Sequence, residues 1–110
     1  MTYKYIAFFR ETGMGAYEIT HIYNTQGKEL QPKSIRTKSG HHGKDVWILR
    51  DGIYYIKELQ ISNKGKQRER VRMVKIDKGR LYILREEVIQ DDYLGILSPL
   101  PKWFPGTGGA

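Results

Sequence analysis

At 110 residues with no cysteine, the chain is one domain's worth of sequence, and disulfides and thiolate metal sites are excluded. Its apolar content is a modest 39%, yet thirteen aromatics, eight of them tyrosine, argue against a disordered chain. The net charge is +7, and no apolar run approaches the roughly 18 residues of a membrane span.

Tyr3 to Phe9 opens the chain as a strand, with aromatic and β-branched residues on both faces and no signal-peptide layout. A glycine-bearing connection leads to a second strand, Tyr17 to Asn24, in which Tyr17, Ile19, His21 and Tyr23 alternate with Glu18, Thr20 and Ile22. Asn24-Thr25-Gln26-Gly27 reads as a turn. Leu30 to Ile35 is ambiguous, because Pro32 argues against a central strand or a helix interior. Thr37 to Lys44 is a polar loop containing His41 and His42.

Asp45 to Arg50 and Ile53 to Ile61 flank Asp51-Gly52, a pair that predicts a hairpin. After a charged loop from Asn63 to Glu69, Arg70 to Ile76 and Arg80 to Leu84 form two more strands around Asp77-Lys78-Gly79. The spacing of Val88, Ile89, Asp92, Tyr93 and Ile96 predicts one helix over Arg85 to Leu97, with Glu86 and Glu87 in its first turn. In the proline-rich tail, Trp103 and Phe104 are costly to leave in water and are expected to pack onto the domain or onto a partner. The sum is a mainly β fold with one or two short helices, expected to curl into a small barrel that removes exposed edges. Residues 1–104 are read as a single β-barrel-like domain and 105–110 as a flexible C-terminal tail.

Charge is distributed unevenly. Residues 1–27 are neutral, residues 28–80 carry fifteen Lys/Arg against six Asp/Glu, and residues 81–110 carry two against four. Lys64, Lys66, Arg68, Arg70, Arg72, Lys75, Lys78 and Arg80 lie on and around one predicted hairpin. Alternation sets Arg70 and Arg72 opposite Val71 and Met73, so that face is expected to be basic and solvent-directed. Such a ribbon can follow a phosphate backbone, and arginine can stack on exposed bases. Without a basic amphipathic helix, an anionic membrane is the poorer match. Tyr17, His21, Tyr23, Trp47, Tyr54 and Tyr55 are able to stack a base, although at least half of them should be core.

The residues do not spell out a catalytic centre. Adjacent His41 and His42 lack a metal-binding spacing, Ser39 has no nucleophile elbow, and Gly13-Met14-Gly15 lacks the rest of a phosphate loop. A metal-free ribonuclease needs only a histidine base, an acid and cations for the phosphate, which His21, His41 and the central basic residues are able to supply.

Tyr5-Ile6-Ala7-Phe8-Phe9-Arg10, a glycine-bearing connection and then Ala16-Tyr17-Glu18-Ile19-Thr20-His21-Ile22 resemble the opening of PUA-like domains, particularly the EVE-type branch. Gly79-Arg80-Leu81-Tyr82, with the helix expected after it, resembles the closing strand and short helix of that group. The likeness covers the two ends of the chain; Tyr17-Glu18 is an insertion before Ile19, and residues 63–72 have no counterpart in the pattern. It implies a curled β-barrel that accepts a modified or flipped base in an aromatic pocket. By that likeness Thr20 and His21 line or support the pocket, and the strand alternation adds Tyr17 and Trp47.

The expectation is thus a stand-alone, cytoplasmic nucleic-acid-binding domain that is not an enzyme, with no cofactor, no metal and no membrane partner. DNA and RNA are equally open as ligands. The phosphate contacts fall to Lys64, Lys66, Arg68, Arg70, Arg72, Lys75 and Arg80. Its rivals are a small metal-independent, toxin-like ribonuclease and a protein-interaction or inhibitor module of a virus or mobile element, anchored by Trp103 and Phe104.

Overall fold

The computed structural model describes residues 3–7, 10–11, 16–36 and 43–105. His41, His42 and Ser39, the Gly13-Met14-Gly15 segment, Phe8 and Phe9 at the end of the first predicted strand, and residues 106–110 of the expected tail lie outside the described residues. Among the described residues ten strands run in chain order as β1 Tyr3–Ala7, β2 Arg10–Glu11, β3 Tyr17–Tyr23, β4 Glu29–Leu30, β5 Lys33–Arg36, β6 Gly43–Leu49, β7 Gly52–Ile61, β8 Gln67–Asp77, β9 Arg80–Asp91 and β10 Ile96–Leu97. The fold is mainly β, with no helix among the described residues, and therefore none long and apolar enough to cross a membrane.

Two antiparallel sheets result. The small sheet has the order β1-β6-β5, and the large one runs β10-β9-β8-β7-β3-β2 with β4 added on β3. The large sheet is open, since its outer strands do not pair with each other. Pro32 precedes β5, an edge strand, where a missing amide donor is tolerated.

The turns obey local chemistry. Asn24 Oδ1 accepts the amides of Gln26 and Lys28, both at 2.9 Å, and Gly27 takes a φ of 81°, where a Cβ would come within 3.2 Å of the Pro105 side chain. Lys78 and Gly79 have φ values of 53° and 77°, the two positive angles of a two-residue hairpin loop, and they join β8 to β9. Asp51-Gly52 departs from expectation. It is not a hairpin turn, because β6 pairs with β1 and β5 while β7 pairs with β3 and β8. It is the corner where the chain leaves one sheet for the other, and Asp51 Oδ2 accepts the Lys78 amide at 3.0 Å.

The expected helix over Arg85 to Leu97 is also overturned. These residues continue β9 to Asp91, make a turn over 92–95 and return as β10. The free edge of β8 supplies a ladder that residues 80–91 complete, and a pattern of spacing has no such partner to weigh.

Each face of the large sheet carries its own core. On one face Ile22, Ile56, Val74 and Ile76 meet Trp47 and Leu49 from the small sheet, with the Trp47 indole N–H donating to the Leu30 carbonyl at 2.8 Å. On the other face Tyr23, Val71 and Ile89 are covered by Phe104, and Trp103 packs at its flank. Phe104 meets the rings of Tyr23 and Tyr55 edge-on, at 5.7 and 5.8 Å between centroids. The tail thus packs back onto the domain; Phe104, offered above as an anchor for a protein partner, is buried against its own chain.

Candidate nucleic-acid interface

The Arg70 and Arg72 face of β8 is not solvent-directed, contrary to expectation. Cross-strand register places Arg72 beside Ile56 and Glu86, and Arg70 beside Glu58 and Val88. Arg72 is only 11% exposed and pairs with Glu58, while Arg70 lies 3.4 Å from Glu58 and 3.8 Å from Glu86. Even-numbered β8 residues share their face with the first core, so two arginines there need internal carboxylates to remain charged. Arg68 is half exposed and donates from Nε to Asp91 Oδ2 at 3.1 Å.

The remaining cations separate into two groups. Lys64 and Lys66 are exposed on the turn between β7 and β8; Lys78 and Arg80 are exposed around the turn between β8 and β9. These turns lie at opposite ends of β8, whose eleven residues span roughly 36 Å. Lys75 is exposed between them, on the face opposite Arg70 and Arg72. The seven expected phosphate contacts therefore do not form one ribbon.

The first group adjoins a cavity. Ser62 Oγ accepts the amides of Lys64 and Lys66 at 3.3 and 3.1 Å, and Gly65 at a φ of 79° lets the chain reverse. Beside this turn, β3 begins at Tyr17 and the 92–95 turn follows β9. Together they surround a cavity of about 330 Å³ lined by Tyr17, Glu18, Gln60, Lys66, Arg68 and Tyr93, among others. A second depression of about 310 Å³ shares Gln60 and Arg68 with it and continues across Glu58, Arg70, Glu86 and Asp91. Glu18 accepts from the Gln60 side-chain amide at 3.2 Å, so the floor between the two is polar.

Two aspartates hold the Tyr93 side of this cavity. Asp91 Oδ1 accepts the amides of Tyr93 and Leu94 at 3.0 and 3.3 Å. Asp92 and Gln67 clasp each other, with the Gln67 amide donating to Asp92 Oδ2 at 2.8 Å and the Asp92 amide donating to the Gln67 carbonyl at 2.9 Å. The Gln67 amide, the Gln90 side-chain amide and the charge on Lys66 hold the Asp92 carboxyl below its usual range. Tyr93, whose spacing predicts a place in a helix rather than in a site, stands 62% exposed at the mouth. The Asp91-Asp92 pair ahead of Tyr93-Leu94-Gly95 was the turn signal to be found there.

The four base-pocket candidates are dispersed. Tyr17 lines the cavity. Thr20 faces Glu58 across the ladder, on the side opposite Tyr17. His21 pairs through Nδ1 with Glu29 Oε2 at 2.8 Å and stacks 6.4 Å from Tyr23, away from the cavity. Trp47 is 2% exposed and belongs to the first core. Within the ladder Thr20 and His21 point to opposite faces, and neither of them lines the cavity.

No protein family, curated protein or solved structure matches the chain.

Proposed function

We propose that this chain binds nucleic acid, DNA or RNA, at the end of the large sheet where the 62–66 turn meets the 92–95 turn. Lys64, Lys66 and the outward part of Arg68 contact phosphates, and Tyr17 and Tyr93 offer rings to an unpaired base. The observation that carries the reading is the shared cavity, which brings two tyrosines beside two cations. Asp91 engages only Nε of Arg68, and the guanidinium has further N–H groups for a phosphate oxygen.

The PUA-like resemblance and its curled barrel belong to the same proposal. The likeness over residues 5–22 suggests a base-reading role, but Thr20 and His21, the residues it points to, lie apart, and the role falls to Tyr17, a candidate from strand alternation that stands in the inserted pair. The C-terminal half of the likeness loses the helix it called for. A flipped or modified base is accepted in this reading by stacking in the cavity, with Glu18 and Gln60 available to its edge.

The test is a titration of labelled single- and double-stranded DNA and RNA, methylated and plain, at two salt concentrations. Replacing Lys64 and Lys66 with alanine is expected to weaken binding to all sequences and to reduce the slope of log K against log salt by about one per lysine. Tyr93→Ala is expected to weaken single-strand binding by about 1–3 kcal/mol with the salt slope unchanged. Affinity and slope indifferent to both changes overturn the proposal.

A further inference from the structure

β9 is twelve residues long, yet its outer side pairs with β10 only at Gln90 and Asp91. The Ser98 amide also donates to the Ile89 carbonyl at 2.8 Å, so residues 80–88 leave a row of backbone donors and acceptors without a strand partner on that side. Tyr82, Ile83, Leu84 and Val88 are 46, 50, 46 and 38% exposed along it. β9 holds no proline or lysine, and its edge charges, Arg80, Arg85, Glu86 and Glu87, are of both signs, so they bar like-charged strands without barring a complementary one.

We infer that β9 pairs antiparallel with β9 of a second copy of this chain, about a two-fold axis passing between Ile83 and Leu84. The argument for that occupant is the strand's complementarity to itself. Leu84 is an extra residue, because Ile83 faces Val74 while Arg85 faces the next residue, Met73. Arg80, Tyr82, Arg85 and Glu87 consequently share one face of the sheet, and Leu81, Ile83 and Glu86 share the other. About this axis Arg80 of each copy lies opposite Glu87 of the other, and Tyr82 lies opposite Arg85, with every pair on one face. Without the extra residue those partners would point to opposite faces. Sliding the register by two in one direction sets Arg80 against Arg85, a like-charge pair, and in the other sets Arg80 against Ile89, whose carbonyl already accepts the Ser98 amide. Among the described residues neither Arg80 nor Glu87 has an ion-pair partner within the chain. The eight paired residues make an edge about 27 Å long, with Ile83 and Leu84 of both copies at its centre. The proposal is independent of nucleic-acid binding.

Sedimentation velocity over a range of concentrations tests it. The full chain is expected to move from 12.9 kDa toward twice that mass as concentration rises. Arg80→Glu alone and Glu87→Arg alone are each expected to weaken association by about tenfold or more, and the two changes together to restore it. Leu84→Lys, an exposed site, is expected to abolish it, with thermal melts establishing that each variant is folded. A monomer at every concentration overturns the proposal, as does a dimer whose affinity ignores the charge reversals. Capture of a foreign strand peptide by a chain that stays monomeric overturns it too.

Discussion

Asp91, buried to within 3% at its side chain, accepts the Nε–H of Arg68, which remains half exposed. The other carboxylate oxygen receives the amides of Tyr93 and Leu94. One buried side chain thus ties a cation of the candidate interface to the turn that carries its tyrosine. Asp91→Ala removes all three bonds and is expected to cost about 2–3 kcal/mol in urea unfolding. Asp91→Asn keeps an acceptor oxygen for the turn amides and should cost less.

Glu58 serves two arginines, Arg72 deep in the sheet and Arg70 nearer the surface. Glu58→Ala leaves Arg72 nearly buried with Glu86, at 4.0 Å, as the one carboxylate among the described residues to answer its charge. The expected loss is about 3 kcal/mol. Arg70→Ala, at a more solvated position, should cost under about 1 kcal/mol. A double-mutant cycle between Glu58 and Arg72 checks the coupling, because the pair removed together should cost less than the sum of the two separate losses.

Phe104 is the lid of the second core. Phe104→Ala strips the edge-on contacts with Tyr23 and Tyr55 and is expected to destabilise the fold by about 3–4 kcal/mol. Chemical denaturation measures the loss, and fluorescence of Trp103, which packs on Phe104, should report the tail's release in the same variant.

Asp92 supplies a pH signature. Its carboxyl titrates below the ordinary 3.8 because the Gln67 amide favours the charged form. A depressed acid stabilises the fold above its unfolded pKa and loses that contribution as pH falls through its folded value. The stability difference between the native chain and Asp92→Asn should therefore be full at neutral pH and shrink below about pH 4. Denaturation curves collected from pH 7 down to 2.5 check it, and a difference that grows on acidification would contradict the assignment.

Strands and turns were legible where local chemistry is sufficient. Asn24 and Gly27 bond within their own turn, and Lys78-Gly79 needs only two residues at positive φ. The two failures share a cause in long-range pairing. Asp51-Gly52 has the composition of a hairpin, but the edges available to β6 were β1 and β5. In β9 the extra residues Leu84 and Ile89 break the period of two, and what remains of the spacing imitates a helix.

Composition and alternation alone settle that this is a β-rich chain whose basic residues crowd its middle, because charge count and side-chain direction along a strand are local properties. Where each cation ends up depends on its neighbours across the sheet. Arg72 meets Glu58 beside Ile56, Arg68 meets Asp91 from a strand end twenty-three residues away, and Lys64 and Lys66 remain at a hairpin tip facing water. Pairing register joins residues far apart in the chain, and it is this geometry that divides buried, neutralised arginines from the few cations and tyrosines left to meet a ligand.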